Sequence, residues 1–307
     1  MQHPIATETV DSIAQLIEVV QNFELTNSNN RLYFRGENQD YGTGAFTPGI
    51  YRTPQQLAGE HRIYREMQRF NDHEFVADKT AFDKLSRMQH YQAPTRLLDL
   101  SEDVLSALYF ALEGRQANSR AVLYLIEIDE QQVKYYDSDA VSVVANLAKS
   151  PLSNDAIAQK SKQALQSDAV QLKNNIQAFN QTDSVSFLLH DIKEEKSYFS
   201  HKIDPKHLLS ILFVKPKLTN DRLHGQKGAY LLFGLNQNDL HRAIPVIDSH
   251  QGELYLNGKL DRSQLPIVKM TKVILSNDID MEHLERLGVT RPYIYPEMDR
   301  VAGYLKK

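Results

Sequence analysis

The 307-residue chain contains no cysteine and no tryptophan. Without cysteine it can have no disulfide, thiolate nucleophile, zinc–thiolate site or iron–sulfur cluster. No stretch approaches about 18 consecutive apolar residues, so nothing reads as a membrane span. The opening MQHPIATETVDSIAQLIEVVQNF lacks a basic start followed by an unbroken apolar run, since Glu18 and Gln21 interrupt it. It does not read as a signal peptide, and the expected location is cytoplasmic, in a bacterial style of protein. GxSxG, the P-loop pattern and GxGxxG are also missing, which removes the direct assignments to hydrolase, P-loop and Rossmann enzymes. A formal net charge of −4 gives no general attraction to nucleic acid or to an anionic membrane. His190, Asp191, Glu194 and Glu195 have no HExxH-type spacing, and DIDMEHLE at 278–285 lacks the glycine of a calcium loop, so no metal site is expected.

What is present describes an ordinary globular chain, with 41% hydrophobic and 24% charged residues. Val10, Ile13, Leu16, Ile17 and Val20 recur at helical spacing over residues 10–23, and RLYFRG then reads as a short strand ending at Gly36. A long loop rich in Gly, Pro, Asn and Tyr follows to Pro54. Helices are expected over 58–75 and 81–89, and SEDVLSALYFALEG reads as a helix capped by Ser101 and stopped by Gly114. AVLYLIEI at 121–128 is a strand, residues 140–200 are a helical insertion or lid, and LSILFVK, AYLLFG, AIPVI and PIVKMTKVIL are further strands. Two short helices close the chain, one near 279–287 ending at Gly288 and one in PEMDRVAGYLKK. Helices and strands do not alternate regularly. The expected class is therefore α+β, with a mixed or antiparallel sheet flanked by helices.

Three stretches place polar groups where chemistry could use them. In YFRGENQDYGTGAFTPGIYR, Arg35 ends the predicted strand, and Gly36 permits close approach of backbone or an unusual turn. A guanidinium presented there can fork onto two phosphate oxygens; the alternative is an arginine paired with a carboxylate of its own protein. In HYQAPTRLLDLSEDVLSALYFAL, Arg96 and Asp99 are expected to pair across one turn and pin it, since unmatched charges beside so apolar a helix are costly. The other reading makes His90, Tyr91, Thr95 and Arg96 the second wall of a polar pocket facing Arg35. In RLHGQKGAYLLFG, Gln226 either presents an amide to a ligand or caps a sheet edge.

Together with LERLGVTRPYIYPEMDRVAGYL, these blocks resemble in order those of the FRG-domain family, named for its Phe-Arg-Gly motif, from about Leu32 to Leu305. The resemblance implies a single FRG domain over residues 1–307, with an N-terminal helix within 1–25 and an insertion at 140–200. Its motif logic is similar to that of the ADP-ribosyltransferase superfamily, which implies an ADP-ribosyltransferase-like sheet and NAD as the substrate. On that likeness Arg35, His90 and Gln226 would be catalytic, with Arg35 holding phosphate. Gly36, Arg52, Tyr91, Thr95, Arg96 and Asp99, with Arg35, would surround the nucleotide. Gln226-Lys227-Gly228 stands where a late Gln/Glu-x-Glu motif would fall, so a catalytic carboxylate would have to come from elsewhere, with Glu37, Glu66 and Glu253 as candidates. The implied function is binding of NAD or a related nucleotide and transfer of ADP-ribose to a macromolecular acceptor, as a toxin or phage-defence effector. The alternative is a non-catalytic module that senses a nucleotide or a peptide.

Overall fold

A strand whose every side chain is apolar and bounded by turns belongs at the centre of a covered sheet. AVLYLIEI comes close to this, with Glu127 its one charged residue, matched by hydrogen bonds from Thr26 and Asn30, and β4 (Ala121–Ile128) is buried at all positions. The structure is a computed structural model describing residues 6–150, 154–165, 169–200, 202–217, 228–235, 247–250, 253–256 and 264–306. In it β4 lies within an eight-stranded mixed sheet of order β1-β10-β4-β2-β3-β7-β6-β5. The others are β1 (Ala6–Val10), β2 (Arg31–Glu37), β3 (Leu97–Ser101), β5 (Lys134–Tyr135), β6 (Ile211–Lys215), β7 (Gly228–Phe233) and β10 (Ile267–Leu275). Among the described strands only the outer pairs, β1 with β10 and β5 with β6, are parallel. β8 (Ile247–His250) and β9 (Glu253–Leu256) form a separate antiparallel pair. The fold is α+β, as the irregular alternation of elements implies.

Alternation along the strands sends side chains to two layers. On one side, Phe34, Leu123 and Leu125 pack with α1 (Ile13–Gln21), α5 (Val104–Leu112) and α11 (Met281–Arg286). Farther along the same side, Leu97, Leu212 and Leu232 pack with α4 (Ala81–His90), α6 (Asp139–Ala145) and α9 (Asp183–Glu195). On the opposite side, Tyr33, Leu98, Leu100, Tyr124 and Ile126 are covered by Phe46, Ile50 and Tyr51 of the loop after β2. Residues 140–200 supply α6, α7 (Asn154–Leu165), α8 (Ala169–Asn180) and α9, and Val141, Ile157, Phe179 and Leu188 share one apolar cluster with the sheet. The insertion is therefore part of the central packing.

Three expectations change. LLDLS is a strand, β3, and not the remainder of a turn: its burial runs buried-buried-exposed-buried-buried, and it pairs with β7 through Leu97–Leu232 to Ser101–Gly228. Ser101 ends that strand, so the cap of α5 is Asp103, whose carboxylate accepts from the Leu105 and Ser106 amides. β1 replaces the first residues of the N-terminal pattern, and Ser12 caps the helix that follows. Gly114 and Gly288 stop their helices as expected, at φ 70° and 85°, where glycine carries no steric penalty. Of AIPVI, only Ile247 lies within the described residues.

Candidate functional site at the β2–β3 seam

Side chains two apart in a strand share a face, so Tyr33, Arg35 and Glu37 of β2 project together. Arg35 is the fifth of seven strand residues and not its last. β2 pairs continuously with β4 from Arg31–Ile128 to Glu37–Val122, but with β3 it forms a single bridge, Phe34–Ser101. Arg35 lies beside the point where this pairing stops. Its Nη1 donates to the Asp99 carbonyl oxygen at 3.0 Å, and its Nε donates to Glu37 Oε1 at 3.0 Å. The Arg35 side chain keeps 14% of its surface exposed, against 4% for Glu37. Nη2 makes no hydrogen bond among the described residues.

Glu37 is the unusual member. Oε1 accepts from Arg35 and, at 3.4 Å, from the Phe46 amide. Oε2 is buried with no hydrogen-bond partner among the described residues. A buried polar atom left so costs roughly 1–3 kcal/mol, and more when charged. Tyr124, opposite Arg35 in the β2–β4 ladder, senses the same groups. Burial, then the carboxylates of Glu37 and Asp40, push its phenol upward, and Arg35 pulls it down. Phe46, which stacks edge-on against Tyr124 at 4.8 Å, has φ 59°, a left-handed conformation that a bulky residue seldom adopts. Such strain persists only where neighbours enforce it, and it clusters at functional sites.

The loop carrying Phe46 is pinned at its far end. The Ile50 amide donates to Thr95 O at 3.0 Å, and the Tyr51 hydroxyl donates to the Gly234 carbonyl. Beside Tyr51, burial removes all exposure from Arg96. Its Nε donates to Glu60 Oε1 at 2.8 Å, its Nη2 to Glu60 Oε2, and its Nη1 to Phe233 O at 3.0 Å. Burial pushes the Tyr51 phenol up to about 12. The expected Arg96–Asp99 pair does not form. Residue 96 leads into a strand, not a turn, and residues three apart along extended backbone point to opposite faces. Asp99 accepts instead from Gln89 Nε2 at 2.6 Å, and Thr95 donates to Gln89 Oε1 at 2.7 Å.

The predicted residues thus divide. Arg35, Asp99 and Thr95 are joined in one hydrogen-bonded path through the Asp99 backbone and Gln89. Arg96 is enclosed and cannot line a pocket with them. Gly36 cannot line one either, because a Cβ there would lie 1.9 Å from Ala107 O; the close approach it permits is that of α5. His90 and Tyr91, at the end of α4, turn elsewhere: His90 Nε2 lies 2.7 Å from Glu297 Oε1, and the Tyr91 hydroxyl donates to Glu74. Arg52 is exposed at the loop's end. Gln226 and the side chain of Glu253 fall outside the described residues, and Glu66 is paired with Arg69 on the surface of α3 (Glu60–Phe70). Of the candidate carboxylates among the described side chains, Glu37 is the one placed beside Arg35.

Gln89, Phe46 and Tyr124 were missed. The Arg35–Glu37 spacing of two within a strand was a readable signal; nothing local marked Gln89. A groove of about 650 Å³ lined by β1, α1 and β10, with Glu8, Asp11, Glu18 and Lys269 among its walls, lies at the β1 edge of the sheet, away from the central seam, and contains none of the predicted residues. Among the described residues no cluster of His, Asp and Glu could hold a metal ion, and no helix is long and apolar enough to cross a membrane.

No curated protein and no solved structure matches the chain. The FRG domain family model does, over residues 30–120. That segment contains β2, the pinned loop, α4, β3 and α5, so both walls of the seam lie within it. The chain carries an FRG domain across residues 30–120.

Proposed function

We propose that the chain binds NAD or a related nucleotide at the β2–β3 seam, with Arg35 as the anchoring side chain. The observation that carries this reading is the part-exposed guanidinium of Arg35, with one nitrogen uncommitted among the described residues, beside the buried Oε2 of Glu37, which has no hydrogen-bond partner among them. Local protein groups saturate neither residue, whereas the neighbouring Arg96–Glu60 pair engages all three guanidinium nitrogens. Binding of NAD or ADP-ribose at millimolar concentration to the full chain should raise its Tm and give measurable heat in calorimetry. Arg35→Lys, which keeps charge but not the fork, should abolish both signals. Absence of any signal from wild-type protein with either nucleotide removes the proposal.

A second reading, transfer of ADP-ribose to a macromolecule as a toxin or defence effector, is favoured by the position of Glu37. A carboxylate beside the anchor can stabilise an oxocarbenium-like centre or orient an acceptor. Labelled NAD incubated with the chain and a cell lysate separates the two. Label on protein or nucleic acid supports transfer, whereas binding without label supports a nucleotide-sensing module.

A further inference from the structure

The charge of the seam restricts which part of a ligand can sit there. Arg35 forms an ion pair with Glu37 at 3.0 Å, and the nearby Asp40 forms one with Lys272 at 2.7 Å. The Asp99 carboxylate is held by Gln89 on the other face of β3, and Arg35 meets only the Asp99 backbone carbonyl. A phosphate placed against Arg35 would meet the Glu37 carboxylate within the same contact, and like charges in a poorly solvated place repel strongly. The unused hydrogen-bonding capacity is of two kinds: a donor at Arg35 Nη2 and an acceptor at Glu37 Oε2, of which the acceptor is enclosed and unpartnered.

We infer that the ligand group seated at Arg35 and Glu37 is uncharged and both donates and accepts hydrogen bonds, as a ribose hydroxyl or a carboxamide does, and that it is not phosphate. Glu37 is then a specificity residue, selecting the nucleoside portion by accepting its hydrogen and excluding the anionic portion by its charge. The inference rests on the nucleotide reading above and narrows it. It also reverses the phosphate-holding role that the superfamily likeness assigns to Arg35. Charge-assisted acceptance by a buried carboxylate is worth about 1.5–3 kcal/mol, hence roughly tenfold or more in affinity.

The test is a calorimetric series on the full chain with NAD, adenosine, 2′,3′-dideoxyadenosine, nicotinamide and inorganic pyrophosphate, repeated on Glu37→Gln. The expected result has NAD binding wild type and pyrophosphate giving no heat. Glu37→Gln should then weaken NAD at least tenfold and admit pyrophosphate, since Arg35 is released from its counter-charge. Loss of adenosine binding on removing its hydroxyls identifies the sugar as the seated group, and binding of nicotinamide identifies the amide. Pyrophosphate binding to wild type as tightly as NAD, with Arg35→Lys abolishing both, overturns the inference and leaves the nucleotide reading standing. Silence of wild type toward every compound removes both together. A circular dichroism melt of Glu37→Gln separates lost binding from lost folding, and the wild-type series needs no variant.

Discussion

Two arginine–glutamate pairs lie on either side of one loop, and they differ in what they leave unused. Arg96 and Glu60 are buried together: three guanidinium nitrogens meet three acceptors, and both carboxylate oxygens are taken. Arg35 and Glu37 share one contact, after which a guanidinium nitrogen and a carboxylate oxygen remain without partners among the described residues. The first pair fixes a chain crossing, tying the start of α3 to the end of β7 beside Tyr51. The second sits where the β2–β3 ladder gives out, under a strained Phe46 whose loop the first pair helps to hold. An arginine in an FRG block is thus not informative by its presence. The number of its donors already answered by the protein separates scaffold from candidate site.

The largest expected effect tests the scaffold side. Arg96→Met leaves the Glu60 carboxylate buried and unpaired and should cost about 3–5 kcal/mol in denaturant unfolding, with Arg96→Met/Glu60→Leu recovering much of it. If the single variant unfolds like wild type, the division between the pairs fails. Gly36→Ala, whose added carbon would meet the backbone of α5, should cost about 1–3 kcal/mol or more and loosen the Arg35 strand without touching Arg96. Asp103→Ala removes the cap of α5 and should cost about 1 kcal/mol, whereas Ser101→Ala, if Ser101 were the cap, would do the same. Arg35→Lys keeps the charge beside Glu37 and should change stability least, by about 1 kcal/mol for the hydrogen bonding it gives up, while removing the nucleotide response.

A partly buried carboxylate on the far helix layer gives the comparison a pH axis. Glu195, at the end of α9, accepts from the Ala81 amide at 2.6 Å and from Asn146 Nδ2 at 2.9 Å. Burial raises its pKa above the ordinary glutamate value and outweighs those hydrogen bonds and the charges of Lys149 and Lys196. The folded state therefore holds this proton more tightly than the unfolded one. The stability it contributes is complete below about pH 4.5 and is lost as pH rises through the raised folded value. Pairwise unfolding curves of wild type and Glu195→Gln across that range should diverge as pH increases, the variant losing less; parallel curves would show that Glu195 is not protonated preferentially in the fold.

Much of the architecture was legible. Strands β4, β6, β7 and β10 and helices α1, α4 and α5 follow from apolar spacing, because each buries a face whose period survives in the residues. β3 was not legible: LLDLS is short, and the Pro-Thr before it gives a turn signal that masked the strand, whose identity depends on β7, some 130 residues later. The candidate site was half legible. Arg35 stood out beside its glycine, yet that glycine serves α5, and the partner that matters is Glu37, two residues on.

Composition and spacing alone exclude thiol chemistry, place the principal helices and strands, and mark Arg35 and Arg96 as two charges among apolar neighbours. Which of them is enclosed could come only from packing. The acceptors that consume Arg96 are 36 and 137 residues away, brought to it by the loop and by β7, whereas Arg35 has its acid within its own strand. Periodicity reports which face a residue occupies; it carries no record of what distant chain is pressed against that face.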